Sequence, residues 1–175
     1  MNRLSLDRSL LALALLAVWL TGCAGAPDAS SRGATFVVVR HAEKANDGSK
    51  DPPLAPAGQA RAQALATALR DATLAAAYAT AYQRTQMTAL PSAQTHGLAV
   101  TTYDAQQPAA VFAAQLRRDY PTGTILVVGH SNTAPDIAAA LCNCVVAPMG
   151  DDEYDRRLTI RFNGDGKAAL REDRY

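Results

Sequence analysis

From Thr35 onward, short runs of β-branched and apolar residues alternate with longer stretches whose apolar positions recur every three or four residues. Thr35-Phe36-Val37-Val38-Val39 has the composition of a buried strand. A polar loop containing Asn46, Gly48, Pro52 and Pro53 comes next. The spacing then predicts a helix over Pro56–Arg70, with Gly58, Ala62, Leu65 and Leu69 on one face and Gln59, Gln63, Thr67 and Arg70 on another. Pro56 suits its first turn, where a missing N–H costs nothing. The alternation continues with a strand over Ala75–Ala79 and a helix over Gln83–His96, kinked at Pro91 and capped by Gly97. Next come a strand over Ala99–Tyr103, a helix over Pro108–Tyr120 burying Val111, Phe112 and Leu116, a strand over Thr124–Val128 and a short helix over Thr133–Leu141. Leu158–Phe162 alternates apolar and polar residues, and Asn163-Gly164-Asp165-Gly166 turns it into a last strand over Ala168–Arg171. Repeated β-then-α units predict a three-layer α/β/α fold, its sheet mostly parallel with an antiparallel C-terminal edge strand.

The first residues have a different pattern. Arg3 and Arg8 precede an unbroken apolar run from Leu10 to Leu20, too short for a comfortable membrane span and suited to an export signal. The run ends in Leu20-Thr21-Gly22-Cys23, which resembles the bacterial lipobox. That resemblance implies a signal peptide over 1–22, a lipid on Cys23 that partners the chain with a membrane, a tether over 23–33 and a folded domain over 34–175. Ala24 behind the cysteine favours the periplasmic face of the outer membrane. In an oxidising compartment Cys142 and Cys144 are either a disulfide or two small residues near a helix end.

Composition adds limits. The chain has 175 residues, 49% of them hydrophobic and 19% charged, which is ordinary for one soluble domain. A domain of ~150 residues buries roughly 70% of its unfolded surface, so neither metal nor disulfide is required to hold it together. A net charge of +1 and the lack of a basic tract give no reason to expect nucleic acid as a partner. No second ligand pair stands at zinc-site spacing.

The residues just after each strand carry the chemistry, because open sheets of this class bind ligands outside the carboxyl ends of their strands. Arg40 and His41 come after the first strand, with Glu43 close by; Arg84 comes after the second, Asp104 after the third and His130 after the fourth. Two arginines and two histidines on one rim make a site for a dianion, since guanidinium forks match phosphate oxygens. A lone histidine after a strand is usually structural, and it is the joint placement that points to catalysis. His96, before Gly97 at a helix end, reads as structural, and the acidic run Asp151–Asp155 reads as a solvated loop.

Val39-Arg40-His41-Ala42-Glu43-Lys44, Thr80-Ala81-Tyr82-Gln83-Arg84-Thr85 and Val128-Gly129-His130-Ser131-Asn132 resemble, in order, the motifs of the histidine phosphatase superfamily, which includes the phosphoglycerate mutases. Leu54-Ala55-Pro56-Ala57-Gly58 resembles the family's approach to its first helix. The resemblance implies a metal-independent phosphatase without cofactor, acting on a small phosphorylated substrate. His41 would accept the phosphoryl group, Arg40 and Arg84 would hold its oxygens, and His130 would complete the pocket. Asp104 or Glu43 would protonate the leaving group, with Asp104 preferred by a small margin. Thr80 and Ala81 replace the usual Ser-Pro, and Ser131 replaces the aspartate of acid-phosphatase members. The chain lacks the long insertions of mutases, and export would separate it from cytoplasmic phosphorelays. The competing class is a non-catalytic phosphate-binding or envelope-interaction lipoprotein.

Overall fold

The structure is a computed structural model that describes residues 32–175; the signal peptide, Cys23 and nearly all of the tether lie outside the described residues. Six strands and four helices alternate along the chain: β1 (Arg32–Arg40), α1 (Pro56–Leu69), β2 (Leu74–Ala79), α2 (Gln83–Thr95), β3 (Val100–Thr102), α3 (Ala109–Asp119), β4 (Thr124–Gly129), α4 (Thr133–Cys142), β5 (Arg156–Asn163) and β6 (Ala168–Arg174). They form one sheet of order β3-β2-β4-β1-β5-β6. β1, β2, β3 and β4 run parallel, whereas β5 is antiparallel to β1 and β6 to β5.

The layers arise from side-chain alternation. On β1, Phe36 and Val38 face one core with Phe112 and Leu116 of α3 and Ile137 and Leu141 of α4. Val37 and Val39 face the other core, with Leu65 and Leu69 of α1 and Ala89 and Ala93 of α2. Period-two alternation on a strand with apolar residues at every position puts half of them on each face. The anticipated face of α1 is the buried one: Gly58, Ala62, Leu65 and Leu69 all pack inward.

Some boundaries and one core assignment differ from expectation. β1 begins at Arg32, so Arg32 and Gly33 belong to the sheet and not to a tether. There the pairing with β5 shifts register between Arg32 and Thr35, and a Cβ on Gly33 would lie 2.5 Å from the Phe162 carbonyl oxygen. β5 begins at Arg156 and β6 continues to Arg174, because Arg157 and Asp173 pair across the two strands at 2.7 Å and carry the ladder past its apolar part. Val111 is 55% exposed, not buried. The inward stripe of α3 is Phe112, Ala113 and Leu116, and Val111 lies about a hundred degrees round the helix from Phe112. Cys142 and Cys144 are joined in a disulfide at the end of α4, which decides between the two readings of that pair.

Candidate active site

Helices α1 and α2 cover one face of the sheet and α3 and α4 the other. The loops after β1 and β4 therefore diverge and leave a crevice at the carboxyl ends of these adjacent strands. Parallel pairing sets Arg40 against Gly129, so the next residue on each strand, His41 and His130, stand side by side. His41 N–H donates to the Gly129 carbonyl at 2.9 Å, and the two ring centroids are 5.4 Å apart. β2 flanks β4 with Ala79 opposite Val128, which brings Thr80 beside His130. Gly129 permits this crowding: a Cβ there would meet Thr133 Oγ1 at 2.8 Å and the Tyr103 hydroxyl at 3.1 Å.

Hydrogen bonds fix the imidazoles. His41 Nδ1 lies 2.8 Å from the Ala42 carbonyl oxygen. A carbonyl only accepts, so Nδ1 carries the proton and Nε2 carries the lone pair. His130 Nε2 is 3.0 Å from Thr80 Oγ1, which is itself 2.8 Å from Thr85 Oγ1. Thr85 Oγ1 also lies 2.7 Å from the Tyr82 carbonyl oxygen and donates to it. Thr80 then donates to Thr85 and accepts from His130 Nε2–H. Both histidines are held neutral: burial, then the positive charges of Arg84 and Arg40, lower each pKa to about 4, and for His41 the Ala42 carbonyl offsets part of this.

The arginines are anchored by segments distant in sequence. Arg40 is 6% exposed. Its Nη1 donates to the carbonyls of Gly150 and Asp151 at 2.8 Å each and of Glu153 at 3.4 Å, and its guanidinium carbon stands 4.1 Å from the centroid of the Tyr154 ring. Arg84, in the first turn of α2, has Nη1 at 3.5 Å from Asp51 Oδ1 and its guanidinium carbon 4.4 Å from the centroid of Tyr82. Asp51 also receives the Gln83 N–H at 3.1 Å and so satisfies the start of that helix. The Nε atoms of Arg40 and Arg84 are buried and find no acceptor among the described residues.

The fold thus brings together Arg40, His41, Arg84 and His130. It does not bring Glu43 to them as a free acid, nor does Glu43 orient Lys44 or Arg84. Its carboxylate is held by Arg61, with Arg61 Nη2 at 2.6 Å and Nε at 2.9 and 3.0 Å, and that pairing lowers its pKa. An acid kept ionised by a bidentate partner is a poor proton donor. Asp104 stands at the carboxyl end of β3, two strands from the one that carries His130 and three from the one that carries His41, exposed, with Oδ1 accepting the Gln106 N–H at 2.9 Å. No hydrogen bond or ion pair joins it to either histidine among the described residues. His96 is tied to the Ser92 and Ala72 carbonyls at 2.8 and 3.1 Å, the structural role anticipated for it.

Sequence reasoning missed Thr80, Tyr82, Asp51, Thr88 and the main chain of Gly150–Tyr154. Thr88 Oγ1 accepts the Ala42 N–H at 3.0 Å and pins the turn behind His41. The segment read as a solvated acidic loop grips Arg40 through carbonyl oxygens, which every residue carries, so no side-chain pattern announces it.

The profile of the histidine phosphatase superfamily (branch 1) matches residues 36–107, a span that carries Arg40, His41 and Arg84. Over that span the chain is similar to the histidine phosphatase superfamily. No curated protein sequence matches it significantly. Among solved structures, a similar fold is found in the protein histidine phosphatase SixA complexed with tungstate, at a TM-score of 0.64 and 16% identity over 80% of this chain and 96% of that one. It recurs in a putative alpha-ribazole-5'-P phosphatase from Escherichia coli, at 0.63 and 18% identity over 82% and 97% of the two chains. A mycobacterial glucosyl-3-phosphoglycerate phosphatase superposes at 0.59 and 17% identity over 79% and 97%. At such identities the likeness is one of fold.

Proposed function

We propose that this chain is a member of the histidine phosphatase superfamily and hydrolyses phosphomonoesters through a phosphohistidine on His41. The observation that carries the reading is a neutral imidazole with its Nε2 lone pair unengaged, beside a second imidazole and two guanidiniums whose Nε–H groups lack acceptors among the described residues. His41 Nε2 attacks phosphorus, and the bond to the leaving oxygen breaks as the N–P bond forms. Charge accumulating on the equatorial oxygens is met by Arg40 and Arg84, which are already in place, while His130, its one N–H engaged by Thr80, adds a donor only on taking up a proton. Water then attacks phosphorus, the N–P bond breaks, and orthophosphate leaves with His41 neutral again. The guanidiniums supply the positive charge, so the reading requires no metal. Glu43 being committed to Arg61, the proton for the leaving group is assigned to Asp104.

The fold similarity to phosphatases and to a structure holding the tetrahedral oxyanion tungstate supports this reading. The purified chain should hydrolyse an activated aryl phosphate in the presence of chelator. Arg84→Ala should lower kcat about 100-fold or more, and His41→Asn should abolish the alkali-stable labelled intermediate. Orthophosphate binding without turnover would instead make the chain a phosphate-binding lipoprotein. Export and a lipid on Cys23 complete the proposal, supported by the apolar run and the Leu20-Thr21-Gly22-Cys23 pattern. Cys23→Ser should release the protein from membranes, and unchanged partitioning would refute the anchor.

A further inference from the structure

The two arginines share an arrangement that neither catalysis nor chain connectivity requires. Each has Nη1 near protein oxygen, Nε without an acceptor among the described residues, and one face covered by a tyrosine ring. The tyrosines come from unrelated segments, Tyr82 from the junction of β2 and α2, Tyr154 from the α4–β5 loop. Each also abuts a histidine, with Tyr154 6.1 Å from His41 and Tyr82 5.2 Å from His130 by ring centroids. Neither tyrosine hydroxyl makes a hydrogen bond among the described residues. The rings, not the hydroxyls, form the contacts.

An arginine held only at Nη1 can still rotate about that contact. A π-face laid against the guanidinium removes this freedom and leaves the in-plane N–H donors unobstructed, because cation–π contact uses the face and hydrogen bonding uses the edge. We propose that Tyr154 and Tyr82 are positioning residues of the phosphate clamp, each holding the plane of one arginine so that its edge meets the phosphoryl oxygens. This inference rests on the phosphatase reading and adds to it two residues that do not touch the reacting atoms.

The test compares leucine and phenylalanine variants of the purified full chain, with orthophosphate binding by calorimetry alongside steady-state kinetics. Tyr154→Leu should weaken orthophosphate binding about five- to twentyfold, and Tyr82→Leu, at a more exposed ring, about three- to fivefold. In both, kcat should fall more than KM rises, since a misaligned donor matters most where charge is greatest. Tyr154→Phe and Tyr82→Phe should recover most of the loss. Arg117, stacked on Phe162 at 4.7 Å and remote from the histidines, provides the control. Phe162→Leu should cost stability without changing phosphate binding. Leucine variants that bind and turn over like an active wild type, or phenylalanine variants as damaged as the leucine ones, would overturn the positioning role alone. A wild-type chain that neither binds orthophosphate nor hydrolyses any ester would overturn the phosphatase reading, and this inference with it.

Discussion

Mild acid should destabilise this protein through its two site histidines. His41 and His130 have pKa values near about 4 in the fold, chiefly from burial, against 6.5 ordinarily. Between those values the unfolded chain binds protons that the folded chain refuses, so stability falls as pH is lowered from 6.5 toward 4 and is regained above 6.5. The fall from 6.5 to about 4 at His41 corresponds to about 3 kcal/mol. His130 is partly open to solvent, so roughly half that figure is assigned to it. Near pH 5.5 the two sites together differ by about one and a half protons, a slope of about 2 kcal/mol per pH unit. Glu43 and Asp173, whose pKa values are lowered by Arg61 and Arg157, contribute stability that is lost only at more acidic pH. Urea unfolding at half-unit steps from pH 7 to 5 measures the slope. The double variant His41→Asn, His130→Gln keeps a donor toward the Ala42 carbonyl and toward Thr80 while removing the titration. Its stability should be nearly flat over the same interval. A slope in the double variant as steep as that of the parent would refute the reasoning, because the protons would then be bound elsewhere.

Further predictions concern single contacts. Thr80→Val leaves His130 Nε2–H buried without its acceptor and should cost about 1–3 kcal/mol by thermal or urea unfolding, with a larger proportional loss of kcat. Gly58→Ala places a Cβ 2.2 Å from the Glu43 carbonyl oxygen, so α1 must retreat; a stability loss of about 1–3 kcal/mol and reduced turnover are expected, and an unchanged melting temperature would contradict the close approach. Glu43→Gln should slow good and poor leaving groups equally, whereas Asp104→Asn should slow the poor one far more; the reverse pattern in paired ester kinetics would exchange their roles. Reducing the Cys142–Cys144 disulfide opens a very short loop and should cost about 1.5 kcal/mol at most in urea unfolding.

The order of elements, the two-faced sheet and the four residues that meet at the histidines were legible because each leaves a local mark. Val37 and Val39 share a run with Phe36 and Val38, and Arg40 and His41 sit where that run stops. What the sequence concealed depends on contacts between remote segments. Nothing near Glu43 announces Arg61 as its partner, since the pairing is set by how α1 packs behind the turn after β1. Thr80 looks like a substitution for serine until the β2–β4 register puts it against His130. Arg40 is gripped by main-chain carbonyls of Gly150, Asp151 and Glu153, and carbonyls have no sequence signature. Val111 illustrates the converse: its hydrophobicity suggested burial, and the helical angle placed it in solvent.

β1 enters the sheet at Arg32 and delivers Arg40 at the opposite end of a nine-residue strand, a run of about 30 Å. Any fastening upstream of Arg32, the proposed lipid included, would hold the domain by its base, with the crevice at the top. A substrate would thus enter at the end of the domain away from that attachment.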